Sequence, residues 1–121
     1  MPRGVEVIVG GRVDPQFGPL IVVGLGGVLV EVLADTALAP APIGPGEADA
    51  LLRELRAFRL LEGYRGLPAA DLNRLCEIVA RASEFMADQR DVVGEFDINP
   101  LICAGSNITA VDALIVRAAP A

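Results

Sequence analysis

Hydrophobic and polar positions alternate through residues 4–13, a Val- and Ile-rich stretch that predicts a β-strand. Asp14-Pro15 ends it. Residues 20–23 are continuously apolar and predict a strand buried on both faces. Gly24-Leu25-Gly26-Gly27 predicts a turn, and residues 28–33 a third strand, paired with the second as a hairpin. Pro40, Pro42 and Pro45 predict a rigid linker without regular structure. The period then changes. In residues 47–57, Ala48, Leu51, Leu52 and Leu55 recur at helical spacing and mark one apolar face. Residues 63–68 read as a loop. Residues 71–87 carry the strongest helical pattern, through Leu72, Leu75, Cys76, Val79, Ala82 and Met86, with Asp71 as N-cap. Strand pattern returns in residues 92–98 and 107–116, on either side of a turn at Ala104-Gly105-Ser106. Three strands, two helices and two or three further strands predict an α+β domain. Its sheet is mainly antiparallel, with both helices on one face.

The segment Glu95-Phe96-Asp97-Ile98-Asn99-Pro100-Leu101 holds the candidate chemistry. Strand alternation puts Glu95, Asp97 and Asn99 on one face and Phe96 and Ile98 on the other. An even-length loop centred between Gly105 and Ser106 pairs positions of constant sum, so Asn99 is expected opposite Asp112 and Asp97 opposite Leu114. Directly opposed Cβ atoms lie about 4.5–5.5 Å apart. At that separation an amide oxygen and a carboxylate can share one hard cation. Magnesium takes one or two ligands from protein and completes its shell with phosphate and water. A half-buried strand with an acidic wet face produces the same pattern, and a one-residue bulge would separate the pair. Gly26 and Gly27 could offer backbone N–H groups to a phosphate, or simply form a turn that needs positive φ. Glu31 faces the same site or is an ordinary strand carboxylate. Arg65, between Gly63 and Gly66, could hold a phosphate, and more simply caps a helix end or pairs with a surface acid.

Composition narrows the partners. The 121 residues fit one domain, with 53% hydrophobic and 21% charged residues. Aromatics make up 4% and Trp is absent, so Val, Leu, Ile and Ala must build the core. The net charge of -6 argues against nucleic acid and anionic lipid as partners. The chain is acidic, has no Lys/Arg cluster and contains no Lys, so any nucleotide must be held through metal ions, backbone N–H groups or a partner's cations. It also has no His, which removes the commonest general base and zinc ligand. Cys76 and Cys103 form no CxxC pair and read as buried free thiols. No signal-peptide pattern precedes residue 10. The apolar stretch of residues 20–34 is broken by glycines and too short to span a bilayer, so a soluble cytoplasmic protein is expected.

Residues 95–101 followed by Val111-Asp112-Ala113 resemble the end of the ATP-grasp domain of ADP-forming acyl-CoA synthetases and, more distantly, the succinyl-CoA synthetase β chain. Residues 4–10, Asp14-Pro15-Gln16-Phe17-Gly18-Pro19, Gly24-Leu25-Gly26-Gly27 leading to Glu31, and Gly63-Tyr64-Arg65-Gly66 agree in order and spacing, so the likeness runs along the whole chain. It implies a partial ATP-grasp domain, the C-terminal subdomain, acting with Mg2+ and ATP or ADP. Asn99 and Asp112 would be the metal ligands, with Asp97 an outer or weaker ligand, and Gly26, Gly27 and Glu31 would line the nucleotide site. No catalytic residue is implied within the chain. The implied partners are an N-terminal ATP-grasp subdomain and CoA-binding and ligase domains, and an apolar face left uncovered without them could pair with a second copy of the chain. Two positions depart from the family pattern. Ala39 and Leu114 stand where it usually carries cations, which keeps a non-catalytic interaction or regulatory domain as the rival expectation.

Overall fold

The computed structural model describes residues 4–25, 35–63 and 68–119. Among them, β1 (Val5–Asp14), β2 (Gly18–Leu25), β3 (Thr36–Pro40), β4 (Val93–Ala104), β5 (Asn107–Ala110) and β6 (Ala113–Arg117) form one sheet. The order is β3-β2-β1-β4-β5, and β6 also pairs with β4. Every pairing is antiparallel. Helices α1 (Pro45–Arg53) and α2 (Leu72–Asp88) pack together, and α2 lies across β1 and β2. A 3-10 turn, Phe58–Glu62, comes after α1.

Alternation explains the layering. Val5, Val7 and Val9 of β1 pair with or lie beside Ile21, Val23 and Leu25 of β2, and all six are buried in the core under the helices. Gly11 sits on the same side because Met86 of α2 and Phe96 of β4 fill its space. A Cβ there would lie 2.5 Å from the Phe96 ring. Helix α2 keeps its predicted period and buries Leu75, Cys76, Val79 and Met86. Asp71 caps it, accepting the Arg74 N–H at 3.1 Å. Ser83, fully buried in α2, accepts the Ile43 N–H at 2.9 Å and so ties the approach to α1 onto α2.

The proline segment lacks regular structure over residues 41–44, as expected of a linker, and differs from that expectation at its two ends. Residues 36–40 form β3, an edge strand whose register runs from Thr36 opposite Gly24 to Pro40 opposite Leu20. Pro40 ends the strand, where a missing N–H is tolerated, and Pro45 opens α1 at its first turn. Helix α1 therefore begins two residues before the expected start, with the Glu47 carboxylate accepting the Gly44 N–H at 3.2 Å, and it ends at Arg53 rather than residue 57. The expected strand over residues 28–33 lies outside the described residues.

Asp35 organises the chain beyond the end of α1. Only 5% exposed, its carboxylate accepts the Arg56 N–H at 2.7 Å and the Ala57 N–H at 3.0 Å, while its carbonyl accepts from Leu25 at 3.3 Å. One buried acid thus joins β3, β2 and the end of α1. Both cysteines are free and buried. Burial pushes the Cys103 thiol up to about 11, where it is an inert core group. Among the described residues no helix is long and apolar enough to cross a membrane.

Candidate functional site

The β4 hairpin builds the candidate site. Its two-residue turn, Gly105-Ser106, needs positive φ, and Gly105 supplies it at 61°. Leu101 then faces Ala110, Cys103 faces Ile108 and Ala104 faces Asn107. Beyond the turn's own strand pair, Ile98 faces Ala113 and Asp97 faces Leu114. The constant-sum register expected from the sequence therefore holds from the turn back to Glu95 opposite Val116, and slips by one residue only beyond it, where Val93 faces Arg117. Asn99 and Asp112 meet across it, with the Asn99 N–H donating to the Asp112 carbonyl at 3.0 Å.

The ladder is not regular at this point. Two residues of β4, Asn99 and Pro100, stand against Val111 and Asp112, which belong to neither β5 nor β6. The Val111 N–H donates to the Pro100 carbonyl at 3.0 Å. Against β1 the same step appears as a slip, since Ile98 pairs with Val9 but Leu101 pairs with Val7. Simple alternation, which sends Glu95 and Asp97 to the face away from the helices, ends at Ile98. An irregular ladder leaves local polar groups for other partners. Asn99 and Asp112 are both solvent-exposed, and the Asp112 carboxylate accepts only the Ala113 N–H, at 2.9 Å. Both side chains therefore retain oxygens for a hard cation.

Asp97, two residues before Asn99 along β4, lies on the open face, opposite Gly10 of β1 and Leu114 of β6. Burial first, and the Glu95 charge second, raise its carboxyl above the ordinary range. Glu95 and Asp97 are neighbours on one face of one strand. Their repulsion is relieved by a proton, a metal ion or a cationic side chain. Among the described residues no group of three or more His, Cys, Asp or Glu side chains converges as a metal site.

Glu95 and Asp97 open into a pocket of about 240 Å³ on that face. Ile8, Gly10 and Arg12 of β1, Val22 of β2, and Leu114 and Val116 of β6 also line it. Arg12 is the functional candidate that the sequence pattern did not single out. Its only sequence signal is a charged residue on the polar phase of a strand otherwise rich in Val and Gly. Gly26, Gly27, Glu31 and Arg65 lie outside the described residues.

Comparison with known proteins gives one consistent result. Residues 1–116 match the model of an ATP-grasp domain. The chain is 43% identical over 109 residues to the acetate–CoA ligase (ADP-forming) I of Archaeoglobus fulgidus, covering 90% of this chain and 16% of that one. It is 39% identical over 116 residues to the acetate–CoA ligase (ADP-forming) I β subunit of Pyrococcus furiosus, covering 96% of this chain and 50% of the relative. The dinucleotide-forming acetyl-coenzyme A synthetase 1 of Ca. Korarchaeum cryptofilum superposes with a TM-score of 0.90 at 36% identity. The match covers 98% of this chain and 55% of that one. That protein was solved with coenzyme A and Mg-AMPPCP, its phosphohistidine segment pointing towards the nucleotide binding site. The chain thus spans about half the length of the β subunit it matches and a smaller part of the longer ligase.

Proposed function

The chain belongs to the ATP-grasp family, in the ATP-grasp region shared with ADP-forming acyl-CoA synthetases, and on that premise we propose that it forms the magnesium- and phosphate-facing half of the nucleotide site in such an enzyme. The overall reaction is acid + CoA + ATP ⇌ acyl-CoA + ADP + phosphate. One observation carries the reading. The hairpin register sets Asn99 opposite Asp112, with oxygens uncommitted, at the margin of a face that also bears Asp97.

Asn99 would offer its amide oxygen and Asp112 its carboxylate to magnesium, with Asp97 as a weaker or outer ligand. Magnesium held there supplies charge neutralisation at phosphate oxygens. The chain's own contribution is positioning. The hairpin holds two donors at fixed separation on a sheet rather than a loop, so little reorganisation accompanies phosphoryl transfer. Gly26, Gly27 and Glu31 extend the same proposal to the nucleotide. Adenine contacts and phosphate-binding lysines fall to an N-terminal ATP-grasp subdomain, and CoA chemistry falls to further domains.

Calorimetric titration of the chain with ADP, with and without magnesium, tests the reading. Binding is expected to be weak and magnesium-dependent, because half the site is absent and magnesium parts reluctantly with its waters. Asp112→Asn should abolish it while leaving thermal unfolding unchanged, since the side chain is exposed and bonds only its neighbour. Wild-type chain that shows no magnesium-dependent binding at millimolar nucleotide would refute the reading in favour of a non-catalytic interaction domain.

A further inference from the structure

We propose that Arg12 is the side chain that grips the anionic oxygens of the nucleotide polyphosphate on the open face of the sheet. The inference rests on the nucleotide-site reading above and assigns a residue that reading does not use.

Arg12 stands on β1 with Leu20 of β2 on one side and Glu95 of β4 on the other. It lines the same pocket as Glu95, Asp97 and Leu114, and it is the only cation among the described residues doing so. Cross-strand neighbours of opposite charge normally pair. Here, among the described residues, the ion pairs are Arg53 with Asp49 and Arg74 with Glu77, each within its own helix. Arg12 is exposed and makes no side-chain hydrogen bond with any described residue. Among the described residues its five N–H donors are therefore uncommitted, although a carboxylate lies directly opposite.

The pocket floor favours an anion held by both the guanidinium and a metal ion. Gly10, two residues before Arg12 and on the same face, contributes no side chain. A Cβ there would come within 3.1 Å of the Phe96 carbonyl and 3.4 Å of the Asp97 carboxylate. The backbone is thus bare between Arg12 and Asp97. A polyphosphate entering beside Glu95 and Asp97 would be repelled unless cations bridged the two. A metal ion at the Asn99–Asp112 end and the guanidinium at the β1 end would bracket it. A planar fork of donors suits phosphate oxygens bidentately, and a chain without Lys has no other side-chain cation type for the task.

The test uses the whole chain, with magnesium-ADP and magnesium-tripolyphosphate as separate probes, titrated by calorimetry or by amide chemical-shift changes. Arg12→Gln should weaken both probes about tenfold, the loss of a charge-assisted contact. Arg12→Lys should recover part of that loss. Arg81→Gln, on α2, should change either affinity less than about twofold. Unchanged thermal unfolding of Arg12→Gln separates the effect from misfolding. If Arg12→Gln binds both probes like wild type while Asp112→Asn binds neither, the Arg12 assignment falls and the nucleotide-site reading stands. If Arg12→Gln weakens ADP but not tripolyphosphate, the contact is not to phosphate and the assignment also falls. If wild type binds neither probe, both fall together.

Discussion

The strands β2 and β6 contain nearly the same residue types and meet opposite fates. Ile21 and Val23 of β2 are fully buried, whereas Leu114 is 61% and Ile115 is 60% exposed in β6. Neither hydropathy nor strand propensity separates Ile21-Val22-Val23 from Leu114-Ile115-Val116. The position of α2 does. The helix crosses β1 and β2, and it reaches β4 where Phe85 meets Phe96 edge-on, ring centroids 5.6 Å apart. β6 lies beyond that contact, and all five of its residues are exposed. Exposed apolar edges of this kind mark surfaces that other protein covers. The buried region holds the fold together, and the bare margin carries the candidate site.

The comparison predicts a large asymmetry in stability. Ile21→Ala should cost about 2–5 kcal/mol in urea unfolding, because it leaves a cavity in close-packed core. Ile115→Ala should stay within about 0.5 kcal/mol. Equal costs at the two positions would mean that β6 is covered in solution.

Asp35→Ala comes next. It strips two part-buried backbone N–H groups of their buried acceptor, and a loss of about 2 kcal/mol is expected in the same measurement. Asp35→Asn should recover part of it, since one amide oxygen can still accept. A loss below about 1 kcal/mol, the value of one ordinary hydrogen bond, would show that water replaces the carboxylate.

A smaller effect concerns association. The wild-type chain should self-associate or bind a dye specific for apolar surface, and Ile115→Lys should weaken that association roughly tenfold, because charge on an exposed edge opposes pairing. A strictly monomeric wild type without dye binding, by light scattering and fluorescence, would remove the bare margin as a partner surface.

The smallest effect is at Asp97. Its raised carboxyl means that the folded state favours the protonated form. The associated stability is complete below the ordinary carboxylate range and is lost as pH rises through the raised value. Asp97→Asn should escape that loss, so the variant should gain on wild type between acid and neutral pH. The gain should stay within about 0.5 kcal/mol, since the site is partly solvated. A variant less stable than wild type at neutral pH would mean that Asp97 is already compensated by a cation.

Local rules carried by the sequence alone determined several features. Helix α2 and its Asp71 cap follow from a sustained helical period and a short polar residue ahead of it. The hairpin register follows from an even turn with glycine at the position needing positive φ, and it brought Asn99 to Asp112 without reference to the rest of the molecule. Free, buried cysteines followed from spacing and composition. Other features needed tertiary structure. Pro40 read as the start of a linker because proline removes donors, yet an edge strand needs donors on one side only, and β2 was there to pair with residues 36–40. Past Arg53 the Glu54 and Leu55 N–H groups tighten onto the Leu51 and Leu52 carbonyls, and Asp35, distant in sequence, takes the Arg56 and Ala57 N–H groups that a longer helix would have used. Arg12 became a candidate only when the sheet placed it beside Glu95 and Asp97, strand neighbours more than eighty residues away along the chain. Periodicity and turn chemistry are properties of contiguous residues. Which apolar strand is covered, and which charges share a pocket, depends on where α2 comes to rest.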